Sequence, residues 1–220
     1  KALEQQDPWW EPDSDHGYAP VTYAWLLGEP LARASGQRPG AYINQHICQA
    51  AGMDFFVGVP DNDLGRIASV SRLRNQFGDE NARKVFAAMG QPDSLTGKAF
   101  TNPSSMMTST NLTEWRQAEV FSANGSGNAR SLARFWQIMA HGGSLDGVSL
   151  LDSQLVKEMQ REHSAGMDRT LLAPTRFGLG CMLEQDYEGG GYGMGPNAWG
   201  HPGAGGALGF CDPDLQVGFG

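Results

Sequence analysis

Residues 128–143 read NARSLARFWQIMAHGG, and residues 176–183 read RFGLGCML. In the first stretch, apolar residues recur at helical spacing between Asn128, a preferred N-cap residue, and a pair of glycines that ends a helix. In the second, apolar residues alternate from Phe177 to Leu183, which predicts one strand. A helix followed by a strand of this kind, in a chain whose strands come last, is typical of an α+β fold.

The same patterns extend outward from these two stretches. They predict helices at residues 21–35, 39–51, 79–89 and 152–163, a mostly loop segment at 91–127, and strands at 55–59, 198–210 and 215–219. We therefore expect a mainly helical region, 1–175, packed on the C-terminal strands, 176–220, of an antiparallel sheet. The two form one interdependent unit. Because three strands make a thin sheet, we expect the sheet to be completed by another part of a longer protein.

Composition narrows the functions to consider. The chain has 220 residues, of which 40% are hydrophobic, and this is enough to bury a core within one domain. Its net charge is −8, and an acidic chain repels phosphate backbones, so we expect no nucleic-acid partner. No run of 18 apolar residues occurs, so we expect no membrane span.

The cysteines and the two ends of the chain carry weaker signals. The three cysteines stand far apart and none belongs to a metal-ligand spacing, which predicts reduced, buried thiols and no metal or cofactor, and favours the cytoplasm. The chain starts at Lys1 without a methionine and ends in residues that read as mid-strand, so we expect a fragment.

Residues 16–23, HGYAPVTY, place Tyr18 in a turn before a predicted helix. Backbone N–H groups at a helix start are unpaired and the helix dipole is positive there, which favours a phenolate. The alternative is a core tyrosine at a helix start.

Residues 199–206, WGHPGAGG, place His201 at a strand edge among small residues. Small residues let a substrate approach the backbone, and the N–H of Ala204 is a candidate for binding a developing oxyanion. The alternative is an ordinary glycine-rich hairpin.

The order of these segments, with residues 128–135 and 142–151 between them, resembles the serine β-lactamase and penicillin-binding-protein-like hydrolases. Among them it is most similar to the family VIII carboxylesterases, which are related to class C β-lactamases. The resemblance runs from about Glu11 to Gly220 and implies the β-lactamase/transpeptidase-like fold. It also implies that Tyr18 is the tyrosine of the second family motif, that His201 and Gly203 form the third, and that Ala204 completes the oxyanion hole.

The sequence departs from the family pattern in three places. Pro20 replaces the asparagine of the second motif and Pro202 the threonine of the third, which favours ester over β-lactam hydrolysis. The first motif, Ser-x-x-Lys, occurs nowhere in residues 1–220. Since the family carries it upstream of the tyrosine, we expect the nucleophile and its lysine to precede Lys1.

The resemblance implies a carboxylesterase-type mechanism with an acyl-enzyme, acting on a small ester or amide substrate. An upstream serine would attack the acyl carbonyl, Tyr18 would accept its proton, and His201 would act as a neutral relay. Trp199, with Trp9 and Trp10, would line an apolar acyl pocket, although the last two could equally cap the helical region. The alternatives are a β-lactamase, a D-aminopeptidase or acyltransferase, or a non-catalytic relative that binds a ligand.

Residues 1–220 alone should therefore show no turnover of short p-nitrophenyl esters, because the nucleophile is missing. The measurement is the release of p-nitrophenol, the product of hydrolysis. Turnover that disappears when one of the chain's own serines is replaced would contradict this expectation.

Overall fold

The computed structural model describes residues 2–71, 80–105, 108–185, 191–193 and 195–220. The helices α1 to α8 are Tyr23–Ser35, Pro39–Ile43, Gln49–Ala51, Glu80–Met89, Leu95–Phe100, Thr113–Gln117, Ala129–Ala140 and Ser153–Gln160. The strands β1 to β10 are Phe55–Phe56, Ser126–Gly127, Ser144–Leu145, Val148–Ser149, Ser164–Met167, Pro174–Phe177, Met182–Leu183, Trp199–Pro202, Leu208–Asp212 and Val217–Phe219. Short 3-10 helices lie at Leu3–Gln5 and Asp61–Arg66, and a π-helical segment, Asn44–Cys48, joins α2 to α3.

Strands β5 to β10 form an antiparallel meander in which each strand pairs with its neighbour in sequence. The α+β fold class is thus confirmed, with helices packed on an antiparallel sheet. This sheet begins at Ser164, before the predicted boundary at residue 176. The sequence of β5, Ser-Ala-Gly-Met, has no β-branched or aromatic residue, so it gives little strand signal.

Two predicted strands are in fact hairpins. The stretch 176–183 contains the end of β6, a turn, and β7; Gly178 N–H donates to Cys181 O at 2.9 Å, and Gly180 has a φ of 74°. The stretch 198–210 likewise contains β8, a turn at 203–207 and most of β9. The apolar alternation is real in both cases, but it continues across glycine turns that the strand pattern alone does not reveal.

Helix α7 forms as predicted and packs on the sheet. Asn128 is its N-cap, with Oδ1 accepting from Ser131 N–H at 2.9 Å. From α7, Trp136 meets Trp199 of β8 edge to face, with ring centroids 5.3 Å apart. Around this pair lies the main core cluster, which includes Ile138, Met139, Val156, Cys181, Leu183 and Cys211.

The helical region differs from prediction in its detail. The segment 91–127 is not mostly loop, because it contains α5, capped by the Ser94 hydroxyl, and α6. Helix α1 forms despite Pro30 in its interior, and Trp25, Leu26 and Leu27 on its apolar face are about half exposed. All three cysteines are free and buried, as predicted. No helix in the described ranges is both long and apolar enough to cross a lipid bilayer.

Glycine on the sheet lets α7 approach the strands closely. A Cβ on Gly218 of β10 would lie 2.1 Å from the backbone nitrogen of Gln137 in α7. Backbone cannot move aside as a flexible side chain can, so the helix would have to lift from the sheet.

We therefore expect Gly218→Ala to lower the free energy of unfolding by about 1–3 kcal/mol or more. The control is Gly205→Ala in the β8–β9 turn, where an added Cβ meets nothing within 4 Å; it should stay within about 0.5 kcal/mol of the parent. Urea unfolding of the three proteins measures the difference. Equal stability of Gly218→Ala and Gly205→Ala would show that α7 does not depend on this close approach.

Candidate active site

Tyr18 and His201, from opposite ends of the chain, come together as predicted. Their ring centroids are 5.5 Å apart and the planes are inclined by 31°. The Tyr18 ring also stacks on Phe177 at 6.1 Å with an interplanar angle of 7°, and packs obliquely on Phe100 at 6.2 Å. Segment 16–18, β6, α5 and β8 thus each place one aromatic side chain in this cluster.

The backbone of Tyr18 is fixed by Asp168, a residue that the sequence analysis did not select. Tyr18 N–H donates to Asp168 Oδ2 at 3.0 Å and to Oδ1 at 3.2 Å. The side chain of Asp168 has no exposed surface. The only sequence signal is the pattern Asp-x-Thr, which is common in turns where an aspartate accepts from its own backbone two residues on.

The local structure does not provide the phenolate that the sequence analysis expected. Helix α1 begins at Tyr23, so Tyr18 lies outside its first turn, and the Tyr18 N–H is already paired. Burial raises the pKa of Tyr18 to about 12, with smaller contributions in the same direction from the nearby Tyr23 hydroxyl and Asp168 carboxylate. In the described part of the chain the phenol is therefore neutral at pH 7.

His201 is held as one neutral tautomer. Its Nδ1 lies 2.7 Å from Pro202 O. A carbonyl oxygen only accepts, so Nδ1 carries the proton and Nε2 is left as an acceptor. Burial lowers the pKa of His201, and the hydrogen bond to Pro202 offsets this only in part. Among the described residues Nε2 has no hydrogen-bond partner, and an uncharged imidazole with such an acceptor suits a proton relay.

The predicted oxyanion residues lie in the exposed turn between β8 and β9. Gly203 N–H donates to Ala207 O at 2.6 Å, so this amide is occupied within the turn. Within the described ranges, Ala204 N–H has no hydrogen-bond partner. Ala204 can thus donate to a ligand, whereas Gly203 shapes the turn.

Trp199 does not line a pocket, contrary to the sequence interpretation. Its side chain is 0% exposed and lies in the core against Trp136. Trp9 and Trp10 pack edge to face at 6.4 Å, with Trp9 partly exposed. Trp10 contacts the segment that leads to Tyr18, since a Cβ on Gly17 would lie 2.9 Å from its ring. That contact favours the capping interpretation for Trp10.

A shallow apolar cavity of about 290 Å³ lies beside α1 and α6. Its lining is Val21, Trp25, Pro103, Ser109, Leu112, Glu114, Trp115, Ala118 and Val120. Neither Tyr18 nor His201 contributes to it, so the cavity is separate from the aromatic cluster.

The sequence of the chain is similar to those of known proteins. The family profile described as Beta-lactamase matches residues 1–220. Esterase/beta-lactamase LipL of Mycobacterium tuberculosis is 39% identical over 103 residues, which are 46% of this chain and 23% of that protein.

Solved structures match over nearly the whole chain. A penicillin-binding protein homolog from Caulobacter crescentus is 34% identical with a TM-score of 0.80, covering 99% of this chain and 55% of its own. A family VIII carboxylesterase is 29% identical with a TM-score of 0.78, covering 99% and 55%. EstA from Arthrobacter nitroguajacolicus is 25% identical with a TM-score of 0.83, covering 100% and 56%. The chain thus spans about half the length of these structures.

The geometry at His201 predicts a specific NMR signature. At pH 7 its Nε2 should give the ¹⁵N shift of an unprotonated nitrogen, and its Nδ1 that of a protonated one. On acidification, the ring should titrate below the ordinary histidine pKa of about 6.5. Long-range ¹H–¹⁵N spectra, assigned with His201→Ala, test both points. A protonated Nε2 at pH 7 would contradict the Nδ1–H tautomer.

Proposed function

Because the chain belongs to the beta-lactamase family, we propose that it forms part of a serine hydrolase of the carboxylesterase type that cleaves small esters through an acyl-enzyme. The observation that carries this proposal is the contact between Tyr18 and His201, which lies in the strand before a turn whose Ala204 amide has no partner among the described residues. A serine and a lysine outside residues 1–220 complete the site.

Tyr18, Ala204 and His201 each have a defined part in the proposed reaction. As the serine oxygen bonds to the acyl carbon, its proton passes to the Tyr18 phenolate oxygen, which becomes a phenol, and the carbonyl electron pair moves onto oxygen, where Ala204 N–H stabilises the charge. The proton then goes to the leaving alcohol as the ester bond breaks. Water repeats the sequence to release the acid, and His201 Nε2 accepts a hydrogen bond from the phenol when Tyr18 holds the proton.

The raised pKa of Tyr18 explains why the proposed proton transfer requires a nearby cation. The pKa of Tyr18 is about 12 in the described surroundings, so almost none of the phenol is ionised at pH 7. One ammonium about 4 Å away, near a protein surface, is worth about 4 kcal/mol, or roughly a thousandfold in the ionisation constant. Neutral His201 supplies no charge. The lysine of the proposed first motif would therefore lower the pKa of Tyr18 and raise the fraction of phenolate available to accept the proton, although the phenolate remains a minority species at pH 7.

A second candidate is hydrolysis of a β-lactam or D-amino peptide in the same site. Support comes from the similarity to a penicillin-binding protein homolog and to an esterase/beta-lactamase. Pro20 and Pro202 stand where the family motifs carry an amide and a hydroxyl that contact substrate, and their absence favours esters. Rates on p-nitrophenyl butyrate and on a chromogenic cephalosporin, measured with the same full-length preparation, decide between the two.

In the full-length protein, Tyr18→Phe should lower kcat for p-nitrophenyl butyrate by about 10²–10⁴-fold, because the phenol oxygen is the proton acceptor. His201→Ala should cost less, since His201 acts through Tyr18. Tyr42→Phe is the matched control: Tyr42 also packs against a histidine, His46, with centroids 4.4 Å apart, but on α2 and its π-helical continuation. Full activity of Tyr18→Phe would overturn the proposed mechanism. No hydrolysis of either substrate by the full-length protein would overturn the proposed activity and leave a binding relative.

A further inference from the structure

Asp168 joins two segments that lie far apart in sequence. Its Oδ1 accepts from the backbone N–H groups of Thr170 and Leu171, each at 2.8 Å, and so caps its own turn. Its Oδ2 makes the shorter of the two contacts to Tyr18 N–H, at 3.0 Å. One fully buried carboxylate thus fixes the turn before β6 and the peptide group of Tyr18 together.

Further hydrogen bonds run along the same two segments. Arg169 N–H donates to His16 O at 3.1 Å, and the Thr170 hydroxyl oxygen lies 2.8 Å from Tyr18 O. The turn is itself anchored to α5, because the buried hydroxyl of Thr96 donates to Thr170 O at 2.8 Å. The peptide groups on both sides of Tyr18 are therefore held by a turn that is itself hydrogen-bonded to α5.

Asp212 is a second buried aspartate that accepts hydrogen bonds both from its own turn and from a remote amide. Oδ1 of Asp212 accepts from Asp214 and Leu215 N–H, two and three residues on, at 2.9 and 3.1 Å. Oδ2 accepts from a remote amide, Gly195 N–H, at 2.7 Å. Asp212 is as fully buried as Asp168. The remote amide belongs to Gly195 in one case and to Tyr18 in the other. Asp168 also has two further polar neighbours, the Thr170 hydroxyl oxygen 2.9 Å from Oδ1 and His16 Nε2 4.0 Å from Oδ2.

We propose that Asp168 is the positioning residue of the active site, and that its Oδ2 holds the Tyr18 peptide so that the phenol ring stays in contact with Phe177 and His201. The inference rests on the proposed function for its kinetic consequence but not for its structural one. Asp168 acts through Tyr18, and its side chain is too deeply buried to meet substrate.

The substitution Asp168→Asn separates the two tasks of the carboxylate. An asparagine that places its amide oxygen at Oδ1 keeps the cap to Thr170 and Leu171, but its NH2 group then faces Tyr18 N–H, donor against donor. Only the longer contact of 3.2 Å to the Oδ1 position remains. The opposite orientation of the amide would lose the hydrogen bonds from Thr170 and Leu171 N–H and retain the one from Tyr18 N–H. Asp212→Asn makes the same exchange at Gly195 and is the matched control for general destabilisation.

The test uses the full-length protein with p-nitrophenyl butyrate and, in parallel, tyrosine labelled with ¹³C at the ζ carbon, its Tyr18 signal assigned by Tyr18→Phe. Asp168→Asn should lower kcat by about 10²-fold, the cost typical of a misplacement of about 1 Å, with KM changed less than about threefold. It should also shift the Tyr18 ¹³C signal, as the ring moves relative to Phe177 and His201. In Asp212→Asn, kcat should stay within about threefold of the parent value. The Tyr18 ¹³C signal of that variant should move by less than its linewidth.

The outcomes separate this inference from the proposed function. Equal loss of kcat in Asp168→Asn and Asp212→Asn, or an unmoved Tyr18 signal in Asp168→Asn, overturns the positioning role. Absence of ester hydrolysis, or full activity of Tyr18→Phe, overturns the proposed function instead, and the ¹³C comparison still decides whether Asp168 positions Tyr18. If Asp168→Asn does not fold, hydrogen exchange of the Tyr18 amide in the unsubstituted protein tests the contact with Asp168: slow exchange is expected, and exchange at the rate of an exposed amide would overturn the role.

Discussion

The close packing of α7 on the sheet is the constraint on which the rest of the structure depends. Trp136 reaches the sheet at Gly209, where a Cβ would lie 2.2 Å from its indole nitrogen, and meets Trp199 edge to face. In the register of β8 and β9, Gly209 pairs with His201. Because only glycine admits the tryptophan there, the packing of the core fixes the strand that carries the site histidine.

The site combines two physical demands that oppose each other. Packing Tyr18 among Phe100, Phe177 and His201 orients the phenol, but the same burial raises its pKa to about 12 and favours the protonated form. The carboxylate of Asp168, which fixes the backbone, adds to that cost. A phenol buried in this way is oriented but scarcely ionised at pH 7, and this is why the proposed reaction depends on a lysine as much as on a serine.

Features that depend on local pattern or on a family resemblance are predictable from the sequence, whereas three-dimensional surroundings are not. Asn128 marks the start of α7 correctly, because an N-cap is a property of a few adjacent residues. The meeting of Tyr18 and His201 follows from the resemblance, since no periodicity links such distant positions. The pocket role predicted for Trp199 is wrong because Trp136 of α7, a residue remote in sequence, covers the strand face that Trp199 shares with His201. Asp168 escapes prediction because its importance arises from a partner remote in sequence, and a single sequence does not display such pairings.

Strand β8 shows how core and site are joined within a few residues. Trp199 is sealed against α7, while His201, one step further in the same alternation, has its ring against Tyr18, and Ala204 lies in the exposed turn that follows. Burial thus falls steeply from core to solvent along six residues. The buried inner end holds the imidazole, and at the solvent-facing outer end the Ala204 amide has no partner in the part of the chain that the structure describes. A strand leaving the core at this point can therefore present a fixed imidazole and, three residues on, an accessible amide, which are the relay and the oxyanion donor of the proposed reaction.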